Sequence, residues 1–309
     1  MVSAPAIRTR DPTKYYGTVC GVDGVDLDVA PGSIVGFLGP NGSGKTTVLR
    51  MLVGLITPTR GSAEILGADV ATSPPSARSS LGYLPGTLGL YGKMTAREYF
   101  AFLSRMRRVD CRGTADALCE RLSLDPGMRI GEMSKGTRQK VGVVQAFMHS
   151  PMVVVLDEPT SGLDPLVQHE FDRVLREACT RGTAVLLSSH VLGEVERLAD
   201  RVAILDSGRI VAFDDVANLP GRSVRTVVLE FATDADPDLL SHVPGFALTA
   251  REGRRITGTI AGSQRPLLEA ALRGDLVAVE SPERSLDELF RGLVGNKQDR
   301  PASWHEGHI

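Results

Sequence analysis

Gly39-Pro40-Asn41-Gly42-Ser43-Gly44-Lys45-Thr46-Thr47 is the stretch from which the rest of the chain reads. Its spacing is G-x-x-x-x-G-K-[ST], and its flanks suit it. Ser33 to Leu38 is short, apolar and β-rich, a buried strand; Val48 to Leu55 opens a proline-free helix. A strand, a glycine-rich turn and a helix N-terminus aim several backbone N–H groups at one point, where the helix dipole also favours an anion. Glycines let phosphate oxygens approach the backbone. Lys45 brings a point charge for the β- and γ-phosphates, and the Thr46 hydroxyl is placed for Mg²⁺. The stretch predicts a nucleoside triphosphate site.

The 309 residues allow about two domains. A net charge of −2 provides no global positive field for nucleic acid. Cys20, Cys111, Cys119 and Cys179 form no C-x-x-C pair and read as free, mostly buried thiols. The N-terminus lacks a signal-peptide layout, and no apolar run approaches the length of a membrane span. If the protein works at a membrane, another chain must hold it there.

Outward from the loop, Ala6 to Ala30 predicts two short strands around Tyr15-Tyr16-Gly17, and Ser62 to Leu66 a small one. Met94 to about Leu124 has a helical pattern, and a new helix starts at Thr137. Met152 to Leu156 is an apolar strand ending in Asp157-Glu158. A helix (Leu166 to Thr180), a buried strand (Thr183 to Leu187) leading to His190, a helix (Leu192 to Ala199) and a hairpin come next. Strands alternating with helices predict a mostly parallel sheet. The pattern resets near Asn218 to Gly221. Beyond it β-α-β-β-α-β (Val224–Phe231, Asp236–Val243, Phe246–Ala250, Arg255–Ile260, Gln264–Arg273, Leu276–Val279) suggests a small α+β ferredoxin-like domain. A closing helix, Leu286 to Val294, and a loose polar tail complete the chain. The expected domains are residues 1–218, with a helical subdomain at about 87–150, then 222–295, then the tail 296–309.

Hydrolysis needs a carboxylate for Mg²⁺ and a base for the attacking water. Asp157, at the carboxyl edge of a parallel sheet, fits the first role, and Glu158 beside it the second.

Gly39–Thr47, Val155-Leu156-Asp157-Glu158-Pro159-Thr160-Ser161-Gly162-Leu163-Asp164 and Leu187-Ser188-Ser189-His190, in that order, resemble an ATP-binding cassette (ABC) ATPase over about residues 6–215. The resemblance implies a P-loop NTPase core binding ATP and Mg²⁺. His190 would contact the γ-phosphate, Asp164 would lie in a loop crossing to a second copy of the chain, and Tyr16 would stack on adenine, with Tyr15 a rival. The family signature aligns with Met133-Ser134-Lys135-Gly136-Thr137. Ser134, Lys135, Gly136 and Thr137 would cover the γ-phosphate of the partner's ATP, so that ATP closes a head-to-tail dimer.

Lys135 stands where glycine is usual and Thr137 where glutamine is usual; Lys135 reads as an added phosphate-facing charge. In Leu81-Gly82-Tyr83-Leu84-Pro85-Gly86, Gly86 stands where the family usually has a glutamine that reaches Mg²⁺ and water. Either Thr87 substitutes for it or Mg²⁺ keeps one more water, and a slow ATPase relying on Glu158 and His190 is expected. The whole is most similar to ATPase subunits of two-gene drug and antibiotic exporters. That resemblance implies separate polytopic permease subunits, received around Leu88, Leu90, Tyr91 and Met94, at the cytoplasmic face of the membrane, with no nucleic acid. An importer subunit and a soluble ABC ATPase acting on ribosomes or DNA are the alternatives. His305 and His308 beside Trp304 read as ordinary tail residues, and Arg105, Arg107 and Arg108 as a solvated helix face.

Overall fold

The computed structural model describes residues 4–218, 224–234 and 237–281. Of these, the residues up to His190 and from Glu194 to Val216 form one compact unit; those from Ala217 on, with Val191–Gly193, form a second.

The first unit contains, in order, β1 (Ile7–Tyr16), β2 (Val19–Val22), β3 (Leu27–Val29), β4 (Ile34–Leu38), α1 (Lys45–Leu52), β5 (Arg60–Ile65), β6 (Ala68–Asp69), β7 (Leu81–Leu84), α2 (Ala96–Arg107), α3 (Arg112–Arg121), α4 (Lys135–Phe147), β8 (Val153–Asp157), α5 (Pro165–Thr180), β9 (Ala184–Ser189), α6 (Leu192–Leu198) from Glu194 on, β10 (Arg201–Asp206) and β11 (Arg209–Asp215). A six-stranded sheet runs β11-β10-β4-β9-β8-β7. Every pair in it is parallel except the β10–β11 hairpin. All residues of β4, β8 and β9 are buried, as expected of parallel strands covered on both faces, and that is why they are continuous apolar runs. Leu38 pairs with Ser189, and Asp157 with Ser188. The carboxyl ends of three adjacent strands therefore meet at one edge, where ligands of open α/β sheets bind.

A second, antiparallel sheet, β2-β1-β5-β6 with β3 on β1, departs from the sequence expectation of short pieces. β1 runs for 10 residues. Its register shifts between Arg10 and Thr13, where Asp11 adopts φ 49° beside Pro12. Proline is tolerated at such a bulge, and the polar residues there hide the strand's alternation. Gly61 is obligatory opposite: a Cβ would lie 2.1 Å from the Asp11 carbonyl oxygen.

The expected single helical run from Met94 is two helices. Thr95 and Glu98 form a capping box that starts α2, and Arg108 in the left-handed region (φ 56°) ends it. α4 begins at Lys135 rather than Thr137, because Ser134 caps it by accepting from the Thr137 N–H. The four cysteines are free, but only Cys111 and Cys119 are buried, Cys20 being exposed, which corrects the expectation of mostly buried thiols.

The second unit contains β12 (Val224–Phe231), β13 (Phe246–Glu252), β14 (Arg255–Ala261), α7 (Arg265–Ala271) and β15 (Leu276–Glu280). Its antiparallel sheet has the order β13-β14-β12-β15, the ferredoxin-like arrangement. Val227, Leu229, Phe231, Ile256 and Ile260 pack with Leu267 of α7 to form its core. Among the described residues the first expected helix is only a 3₁₀ turn, Pro237–Leu239. Leu286 to Val294, the tail, His305 and His308 lie outside the described residues.

Candidate nucleotide site

The loop between β4 and α1 folds as it does because two of its glycines have no room for a side chain. A Cβ on Gly39 would lie 2.3 Å from the Leu205 carbonyl oxygen. Gly44, the N-cap of α1, adopts φ 104°, and a Cβ there would lie 2.7 Å from the Gly21 carbonyl oxygen. The loop lines a cleft of about 370 Å³, shared with Lys45, Thr46, Gly86, Asp157 and Glu158.

Lys45 is buried and its Nζ donates to the carbonyls of Gly39 (2.5 Å) and Pro40 (3.1 Å). Burial lowers its pKa, opposed by the charges of Glu158 and Asp157. Asp157, 3% exposed, accepts from Thr46 Oγ1 at 2.9 Å on one oxygen and from Ser188 Oγ at 2.6 Å on the other. The Ser43 hydroxyl is buried, with no hydrogen-bond partner among the described residues. A buried orphan hydroxyl in a phosphate loop fits a site that takes a ligand oxygen.

Glu158 comes directly after Asp157 with φ 52°, the left-handed region, and its N–H donates to the Ser188 carbonyl at 3.2 Å. The turn re-aims its carboxylate toward His190, whose Nδ1 lies 2.8 Å from Oε2. Such a backbone cost is retained where surrounding contacts over-determine it. Gln139 on α4, 5% exposed, donates through Nε2 to the carbonyls of Glu158 (3.2 Å) and Pro159 (2.9 Å).

The signature residues do not line this cleft. Ser134 and Thr137 share a hydroxyl contact at 2.9 Å at the start of α4. Lys135 Nζ donates to Ser161 Oγ at 3.3 Å, and Gly136 packs so closely on Gly162 that a Cβ would lie 2.3 Å from its carbonyl oxygen. Asp164 caps α5 by accepting from the Val167 N–H at 3.0 Å. Tyr16 ends β1 about half exposed, with its ring over Gly21, a residue of the cleft lining. Tyr15 is equally exposed.

Gly86 lines the cleft at the end of the β7 loop, and a Cβ on it would lie 3.1 Å from Asp157 Oδ2. Arg50 and Thr87 line it too. Arg50 lies outside the motif pattern, although it stands one helical turn after Thr46 on the same face, and that spacing is the signal that could have found it. Burial, then the Asp157 charge, push the pKa of the Tyr83 phenol up, while Arg50 pulls it down.

This fold and cleft define a P-loop ATPase cassette. Residues 22–161 match the family model for the ABC transporter. A daunorubicin resistance ATP-binding protein of Streptomyces coeruleorubidus is 33% identical over 307 residues, 94% of this chain and 96% of its own. The bacitracin transport ATP-binding protein of Bacillus licheniformis is 36% identical over 208 residues, 66% of this chain and 68% of its own. A solved ATP-binding subunit of an ABC transporter superposes with a TM-score of 0.66 at 30% identity, over 69% of this chain and 91% of its own. The chain belongs to the ABC transporter family, as an ATP-binding, ATP-hydrolysing subunit. Among the described residues no helix is long and apolar enough to cross a membrane.

Proposed function

We propose that the chain is the ATPase subunit of an exporter for drug-like, antibiotic or lipophilic cargo, working with separate polytopic permease subunits at the cytoplasmic face of the membrane. The observation that carries this reading is the likeness to a resistance ATP-binding protein over 94% of the chain, second unit included.

Residues 39–47 cradle the ATP phosphates, with Lys45 drawn from its loop carbonyls to the β- and γ-phosphates, and Tyr16 stacks on adenine. Thr46 Oγ1 and Asp157 Oδ2, 2.9 Å apart, are a hard oxygen pair that fits Mg²⁺. These two residues would hold the ion, which would neutralise charge on the phosphates. Glu158 accepts a proton from the attacking water as its oxygen bonds to the γ-phosphorus and the bond to ADP breaks. His190 orients Glu158 and senses the γ-phosphate.

Two copies meet head to tail, each offering Ser134, Lys135, Gly136 and Thr137 to the other's ATP. The intrachain packing of Gly136 on Gly162 ties that surface to the loop ending in Asp164. Permease contact falls on the surface around Tyr91, which is 55% exposed, beside Leu88, which is half-buried and packed against Gly142.

The test is to purify tagged Glu158→Gln protein with Mg-ATP from detergent-solubilised membranes of its own host. A polytopic membrane protein in equal amount supports the reading. Ribosomal proteins, DNA or no partner would overturn it in favour of a soluble ABC ATPase.

A further inference from the structure

Glu194 stands in the first turn of α6, four residues after His190, and is only 6% exposed. Both of its carboxylate oxygens are taken by hydroxyls. Ser189 Oγ donates to Oε2 at 2.5 Å, and Thr160 Oγ1 donates to Oε1. Ser189 is the residue before His190, and Thr160 lies two residues after Glu158. A single buried carboxylate thus spans the two segments that carry the Glu158–His190 pair.

A carboxyl group in this position is costly. Burial pushes its pKa up, and the nearby Glu158 charge adds to the rise, against the Ser189 and Thr160 hydrogen bonds and Arg197. Docking of α6 does not need it. Val195 and Leu198 are buried on the same helix, and Arg197 pairs with Asp172 of α5 at 2.7 Å. Gln139 already holds the carbonyls of Glu158 and Pro159 from the α4 side. What Glu194 adds is a link between the end of that turn and the end of β9.

We propose that Glu194 is a positioning residue for hydrolysis: its carboxylate straps the turn after Glu158 to the strand end before His190 and keeps the two catalytic side chains in register. It acts through the pair and touches no reacting atom. The inference rests on Glu158 as the base and His190 as its orienter.

The test measures ATP turnover against ATP concentration, with nucleotide binding and thermal melting, on the full-length chain. The variants are Glu194→Ala, Glu194→Gln, His190→Ala, the Glu194→Ala/His190→Ala double and, in parallel, Glu158→Gln. Glu194→Ala lowers kcat about 10- to 100-fold, the usual cost of a slightly misplaced group. KM stays within about 2-fold, because ground-state binding is untouched. Glu194→Gln restores most of that kcat, since its amide oxygen accepts from one hydroxyl and its NH₂ donates to the other. In the double variant the Glu194 change adds little to the His190→Ala loss. Where Glu194→Ala does not fold, Thr160→Val cuts the strap at one end and shows the same loss confined to kcat.

Unchanged kcat, a loss in KM alone, an additive double variant or a Gln variant as impaired as Ala overturns the proposal. Wild-type turnover by Glu158→Gln would instead overturn the underlying reading of the pair, and the proposal with it.

Discussion

Nδ1 of His190 lies 2.8 Å from Oε2 of Glu158, across two adjacent strand ends, β9 and β8. A carboxylate only accepts hydrogen bonds, so an ionised Glu158 places the imidazole proton on Nδ1. Glu158→Gln keeps the side chain's shape and removes its basicity. Turnover should fall about 10²- to 10⁴-fold, the usual worth of a general base. ATP binding should persist, and gel filtration with Mg-ATP should show a stabilised dimer. Multiple turnover at an undiminished rate would exclude Glu158 as the base.

At Gly86 a Cβ would meet Asp157 Oδ2 at 3.1 Å, closer than most side chains pack, so the position is sensitive to both size and chemistry. Gly86→Ala only crowds the carboxylate and should raise the Mg²⁺ concentration giving half-maximal turnover. Gly86→Gln crowds it equally but brings an amide oxygen, and should lower that concentration relative to Gly86→Ala and raise the rate. Superimposable Mg²⁺ titrations of the three proteins would show that the glycine leaves no deficit.

The site's main parts were legible because they ride on buried parallel strands. β4, β8 and β9 are short, largely apolar runs, and each leads at its carboxyl end into a candidate part of the site: the phosphate loop, Asp157-Glu158 and His190. β1 was not legible, since Arg8, Arg10, Asp11 and Pro12 break its alternation around a bulge. Gln139 and Glu194 were invisible for another reason. Their partners Glu158 and Thr160 lie 19 and 34 residues away, and tertiary packing alone brings them together. In the second unit the β-α-β-β-α-β pattern marked the strands well, yet among the described residues the first helix is only a 3₁₀ turn, Pro237–Leu239.

Lys135 donates to Ser161 at only 3.3 Å within its own chain, a weak contact that leaves its charge available. Acting on a partner's phosphates, that charge should matter most for assembling the ATP-bound dimer. Lys135→Ala should therefore raise the ATP concentration for half-maximal turnover several-fold, with a smaller change in kcat, and more so at low salt. Identical ATP dependence at low and high ionic strength would assign Lys135 to the loop contact alone.

His149 tests the electrostatics of the first unit away from the nucleotide. Its Nε2 sits 3.2 Å from the Leu81 carbonyl oxygen, and burial together with the Arg107 charge lowers its pKa from 6.5 to about 4. The folded protein thus resists protonating this ring while the unfolded chain accepts the proton readily. Between about pH 6.5 and pH 4 the unfolded state binds more protons, so stability must fall as pH falls through that window. Above it the ring is neutral in both states and contributes no slope. The ring is only partly shielded from solvent, so the loss should be on the order of 1–2 kcal/mol rather than the full value of the shift. Urea unfolding at pH 7.5 and pH 5 should show it as a drop in midpoint. In His149→Gln, which keeps a donor for Leu81, that part of the drop should vanish. An equal drop in both proteins would place the acid sensitivity in the carboxylates instead.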